Sequence, residues 1–171
     1  MNGIVIYKSR YGAAKQYAEW IAETLNIPAK TTDEVTNAHL IACDYVIAGS
    51  SIYIGKILMK DWLMQNSEAL TGKKHFLFIV GAAPPSEKAK TEKYFTDNIS
   101  NEILKSSQCY YLQGKSIFKE LSWWDKFLLK AGAKFAPTPE LKKEMLTEFN
   151  AIRKENLNEL LNTVEVFRKP K

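Results

Sequence analysis

The chain has little of what side-chain catalysis usually needs. Its two histidines, His39 and His75, are isolated from one another and from other ligand types. Its two cysteines, Cys43 and Cys109, form neither a CxxC pair nor a zinc-binding spacing. A metal site is therefore not expected. Both cysteines lie in apolar, strand-like surroundings, which reads as buried free thiols in a reducing, cytoplasmic setting. No paired carboxylates, Ser/His/Asp set or Cys–His nucleophile stands out. After the first apolar run there is a single glycine, Gly12, so the three-glycine dinucleotide fingerprint is excluded. No apolar run approaches the roughly 20 residues needed to span a bilayer. The opening residues lead straight into a strand pattern, so a signal peptide is not expected. Without repeats, linkers or low-complexity stretches, residues 1–171 read as one domain able to bury a full core.

What the chain does have is alternation. Gly3-Ile4-Val5-Ile6-Tyr7 is an apolar, β-rich run, and Ser9-Arg10-Tyr11-Gly12 follows as a polar turn. Ala13, Ala14, Tyr17, Ala18, Ile21, Ala22 and Leu25 then recur at helical spacing. A short extended piece comes at Pro28–Thr31, and a strong strand at Asp44–Gly49. Helices are expected from about Lys56 to Ala69, from Ser86 and Glu87 to about Leu104, and from about Pro139 to Phe167. Strands are expected at His75–Gly81, apolar throughout, and at Cys109–Gly114. Alternating strands and helices imply an α/β, doubly wound parallel sheet. In such sheets ligands sit at the carboxyl ends of the strands. Three glycine-bearing loops fall there: Ser9 to Lys15, Gly49 to Gly55, and Gly81 to Ser86. The first joins strand to helix, where main-chain N–H groups and the positive end of a helix dipole favour a phosphate. The formal charge of +5 invites anionic partners, although a mildly basic surface explains it as well. Nothing beyond charge points to nucleic acid, and none is expected.

On these residues the chain resembles the flavodoxin family. The resemblance implies FMN on a five-stranded parallel sheet of order 2-1-3-4-5 with helices on both faces. The family's phosphate loop has the pattern [S/T]-x-[S/T]-G-x-[S/T], and Ser9-Arg10-Tyr11-Gly12-Ala13-Ala14 stands in its place. Tyr11 and Ala14 replace hydroxyl residues, at a cost of about 1.5–3 kcal/mol per lost hydrogen bond to a charged group. Arg10 and Lys15 add positive charge. The second loop, Ser50-Ser51-Ile52-Tyr53-Ile54-Gly55, resembles the one beside the flavin ring. There Tyr53 is expected to stack on the ring or to pack on the next helix. Ser50 and Ser51 are expected to reach ribityl or phosphate oxygens. The third loop, with Gly81, Ala82 and Ala83, lacks the aromatic common in electron carriers, which leaves one ring face open.

Within the family the chain is most similar to the menaquinone-dependent protoporphyrinogen dehydrogenases. The likeness rests on Arg10, Lys15 and Trp123-Trp124-Asp125-Lys126-Phe127. It implies an FMN-dependent oxidoreductase with protoporphyrinogen as donor and a membrane quinone as acceptor. The flavin then carries the electrons, which fits the missing catalytic side chains. The last of the quoted residues lie in a helical insert after the last strand, at 115–138. In it Ile117, Leu121, Trp124, Leu128, Ala131 and Phe135 step by three or four, with Lys119, Lys126, Lys130 and Lys134 on another side. A basic amphipathic helix over 115–135 either packs its apolar stripe on its own domain or lies on a membrane. Two alternatives stay open: an electron-transfer flavodoxin, disfavoured because such carriers are usually acidic, and a binding module that has lost FMN.

Overall fold

A computed structural model describes residues 1–169. The first strand, β1 (Gly3–Lys8), leads into α1 (Ala13–Leu25), then β2 (Ala29–Thr31), α2 (Asn37–Ile41) and β3 (Tyr45–Tyr53). A short β4 (Lys56–Ile57) turns back on β3 and precedes α3 (Lys60–Gln65) and α4 (Ser67–Leu70). Then come β5 (Lys74–Gly81), α5 (Lys88–Thr96), α6 (Asn101–Ser106) and β6 (Ser107–Gln113). The remainder holds β7 (Lys115–Ser116), α7 (Trp123–Lys134), α8 (Pro139–Met145), β8 (Phe149–Asn150) and α9 (Asn158–Arg168).

The parallel strands lie in the order β2-β1-β3-β5-β6. Counting only those five, this is the expected 2-1-3-4-5. Alternation along each strand sorts side chains between two cores. Val5, Ile47, Phe76, Phe78 and Val80 face Tyr17, Ala18 and Ile21 of α1 and Leu160 and Val164 of α9. Ile4, Ile6, Val46, Ala48, Leu77 and Ile79 face Leu40, Leu63, Leu70, Phe95 and Ile103 on the other side. Both faces are covered, which is why His75–Gly81 reads as continuously apolar rather than alternating. Each fully buried side chain of this size contributes roughly 1.5–3 kcal/mol.

Three expected helices are shorter than their periodicity suggests. The stretch Lys56–Ala69 opens as a hairpin strand, because Ile54 and Gly55 both take positive φ and turn the chain back. The stretch Ser86–Leu104 breaks between α5 and α6. There Asn98, 5% exposed, uses its side chain to bridge elements. It accepts from Ile57 N–H and donates to the carbonyls of Gly55 and Tyr94. The stretch Pro139–Phe167 divides into α8 and α9. Between them Phe149 and Asn150 pair with Ser116 and Lys115, and Ala151 N–H donates to Gly114.

The insert is accordingly an excursion from Lys115 to Asn150, closed at its base by the β7–β8 ladder, rather than one helix over 115–135. Its helix starts only at Trp123, where Ser122 caps it by accepting from Asp125 N–H at 3.1 Å. Cys43 is buried as expected, but Cys109 is exposed. It lies on β6, an edge strand. Among the described residues no helix is long and apolar enough to cross a membrane.

Candidate functional site at the carboxyl end of the sheet

The parallel register brings the ends of β1, β3 and β5 side by side, with Lys8 opposite Ser50 and Ser51 opposite Val80. The three loops singled out above therefore converge on one end of the sheet. In the first, Gly12 is the N-cap of α1 with φ +82°, a left-handed conformation that favours glycine. No side chain caps the helix, and its first turn holds no acidic residue. Ala13 and Ala14 turn their methyls into the core and offer only main-chain N–H groups outward. Beside them the Ser9 hydroxyl is buried and has no hydrogen-bond partner among the described residues. An orphaned donor, an uncapped 13-residue helix start and a nearby cation together fit a phosphate. Lys15 is at the same corner, exposed and 3.7 Å from Glu19.

The Arg10 side chain turns across the site to the insert. It donates from Nε and Nη2 to Asp125 Oδ2 at 3.2 and 3.0 Å. The Tyr11 hydroxyl donates to the same oxygen, and the Tyr53 hydroxyl donates to Asp125 Oδ1 at 2.6 Å. The Arg10 guanidinium also lies 4.0 Å from the centre of the Tyr53 ring, a cation–π contact. Asp125 is 7% exposed. Burial pushes its carboxyl upward, but hydrogen bonds from Tyr11, Tyr53, Arg10 and Ser122 outweigh that and hold it at about 2.

In the second loop Ser50 is committed inward. Its hydroxyl accepts from Met59 N–H at 3.2 Å and donates to the Ser51 carbonyl at 3.1 Å. That use of the hydroxyl favours a structural role over the expected reach to ribityl or phosphate oxygens. Ser51 is buried, Ile52 packs into the second core, and Ile54 stands 71% exposed at the loop tip ahead of Gly55. One face of Tyr53 is taken by Arg10, so any flavin contact of that ring must use its other face or its edge. In the third loop an added Cβ at Gly81 would come within 2.6 Å of the Tyr111 hydroxyl, so the backbone packs close there. Ala82 accepts from Gln113, and Ala83 is buried with its carbonyl accepting from Tyr111. Helix α8 borders this loop across a cleft of about 380 Å³ that includes Ala82, Pro84 and Glu140.

The residue that sequence reasoning did not assign is Asp125. The pattern around it was visible, but nothing local signals a partner 115 residues away at Arg10. The stripe left open which way the insert would face, and its helical part, with Trp124, Leu128 and Phe135, is exposed. Trp123, Trp124, Phe127, Leu128 and Phe135 are exposed, while Asp125 and Ala133 are the buried residues of α7. The apolar side thus points away from the domain.

Residues 4–140 match the flavodoxin domain family. The flavodoxin, WrbA-like protein from Agrobacterium tumefaciens superposes with a TM-score of 0.50 at 22% identity, covering 72% of this chain and 87% of that one. A flavodoxin from the domain Archaea is 19% identical, with a TM-score of 0.45 and coverage of 70% and 88%. The Streptococcus pneumonia TIGR4 flavodoxin is 16% identical, with a TM-score of 0.48 and coverage of 78% and 99%. No curated protein matches. With the family pattern extending over most of its length and the strand order to go with it, the chain belongs to the flavodoxin domain family.

Proposed function

We propose that this chain is an FMN-dependent oxidoreductase of the quinone-linked protoporphyrinogen dehydrogenase type. The observation that carries its flavin-binding part is the buried Ser9 hydroxyl, without a partner among the described residues, beside the uncapped start of α1; the donor and acceptor rest on the resemblance carried by Arg10, Lys15 and Trp123 to Phe127. That corner supplies a hydroxyl donor, main-chain N–H groups from Gly12 to Lys15, and the positive end of the α1 dipole, a donor set suited to a phosphate dianion. FMN, when bound, supplies the electron-transfer chemistry. Ser9, Arg10, Tyr11, Gly12, Ala13, Ala14 and Lys15 hold its phosphate end. Ser51, Ile52, Tyr53, Ile54 and Gly55 border the ring on one side, and Gly81, Ala82 and Ala83 on the other.

The third loop is small and carries no aromatic, which leaves space for a flat, bulky donor such as a porphyrinogen. The formal charge of +5 favours a donor that carries carboxylates. A quinone is the proposed acceptor. Peripheral membrane contact through 115–135 is supported by the outward apolar side of α7 and by Lys126, Lys130 and Lys134, none of which is ion-paired among the described residues. The test is FMN titration followed by quinone-linked porphyrinogen oxidation. Bound flavin with turnover supports the oxidoreductase. Bound flavin without turnover, but with rapid exchange with a reductase, makes the chain an electron carrier. A chain that stays colourless with FMN excludes both.

A further inference from the structure

We propose that Asp125 is a positioning residue of the cofactor site. Its carboxylate fixes Arg10 and Tyr53 against each other and, through them, holds α7 as a wall across the first two cofactor loops. This rests on the reading of those loops as the flavin site. A carboxylate 7% exposed is unfavourable unless its lone pairs are used, and here both oxygens are taken. One receives Arg10 and Tyr11 from the first loop, and the other receives Tyr53 from the second. The main chain joins in, because Ser122 N–H donates to the Tyr11 hydroxyl at 3.3 Å. Five residues from three separate segments, Arg10 and Tyr11, Tyr53, and Ser122 with Asp125, are thereby tied at one point.

The placement of α7 depends on this cluster to an unusual degree. A helix normally docks through its apolar side, but this one turns Trp123, Trp124, Phe127, Leu128 and Phe135 to solvent. Only Asp125 and Ala133 are buried along its length. Its apolar packing is on α8, where Gly132 meets Met145, rather than on the loops, so little hydrophobic burial opposes its departure from them. Removing the carboxylate frees Arg10 from the Tyr53 ring and releases the start of α7. The wall becomes a flap, and access to the loops becomes faster.

The experiment compares the full-length wild type with Asp125→Ala and Asp125→Glu. Trypsin sensitivity after Lys126 and Lys130 reports the wall without any ligand. Stopped-flow FMN binding and the bound-flavin spectrum report the site. The expected result for Asp125→Ala is tenfold or faster cleavage at those lysines, an FMN association rate raised several-fold, and a shifted bound-flavin spectrum. Asp125→Glu, which keeps the charge, restores at least part of each. Tyr53→Phe removes a single hydroxyl and serves if Asp125→Ala does not fold; it shifts the same readings in the same direction by less. Unchanged cleavage in Asp125→Ala, or in Tyr53→Phe if that variant has to stand in, overturns the proposal even when FMN binds normally. So does a change confined to FMN dissociation, because an ordinary contact would give that. If the wild type fails to bind FMN, the flavin reading falls, and the cleavage comparison still decides whether Asp125 holds the wall.

Discussion

Placing a negative charge at Gly12 tests the phosphate corner more sharply than removing a donor does. An added Cβ at Gly12 meets no atom within 4 Å, so a side chain there has room. The backbone cost is that of a non-glycine residue at φ +82°, about 1–2 kcal/mol of folding stability. Gly12→Ala should show that cost alone. Gly12→Asp adds repulsion between a carboxylate and a phosphate of charge about −2. At a separation of about 6 Å, with an effective dielectric of roughly 40–80, this is about 1.4–2.8 kcal/mol, or roughly 10- to 100-fold in affinity. The assay is quenching of flavin fluorescence at fixed salt, run with FMN and with riboflavin, which has no phosphate. Gly12→Asp should weaken FMN by that factor and leave riboflavin within about twofold. Equal weakening of both flavins would mean that the variant merely distorts the loop. Unchanged FMN affinity would place the phosphate elsewhere.

Ser9→Ala should separate function from stability. Losing a buried, unpartnered hydroxyl should raise folding stability by about 1 kcal/mol in urea denaturation while weakening FMN about 10- to 100-fold; a drop in stability would show that Ser9 has a partner in the fold. Gly49→Ala should destabilise by roughly 1–3 kcal/mol, because its Cβ would lie 1.9 Å from the buried Phe78 ring; a cost within experimental error would contradict the packing of β3 on β5. Acid should act in two stages. Burial lowers the His75 pKa below 6.5 despite its contact with the Leu70 carbonyl. The folded state thus favours neutral imidazole, and the contribution present above about pH 6.5 is lost as pH falls below it. Asp125, held at about 2 against an ordinary 3.8, contributes stability that is lost between about pH 4 and 2, and Asp125→Asn should shrink this second loss, to which Glu34 also contributes, and leave the first. A stability curve flat from pH 7 to 5 would contradict the His75 assignment.

The sheet was readable because its causes are local. The unbroken apolar runs at Ile4–Ile6 and Phe76–Val80 are what strands covered on both faces require. The strand order came from the family resemblance, and the first loop from the strand–Gly12–helix junction. Helix lengths were not readable, because hydrogen bonds made across the fold, side-chain and main-chain, interrupt the periodic stretches. Asn98 reaching to Ile57 ends α5, and the Lys115–Asn150 ladder divides α8 from α9. The Tyr53–Asp125 contact had no local signature at all. The heptad-like stripe of α7 announced an amphipathic helix but carried no information on which way its apolar side would face.

If the β1–α1 junction binds FMN, its main-chain amides must respond to the phosphate and not to the ring. An amide NMR titration of the full chain with FMN, repeated with riboflavin, tests this most directly. FMN should move the resonances of Ser9 to Lys15 strongly and riboflavin should leave them nearly still, while both perturb Tyr53 and Gly81. Resonances of Ser9 to Lys15 that stay unmoved under saturating FMN would place the phosphate at another corner of the sheet.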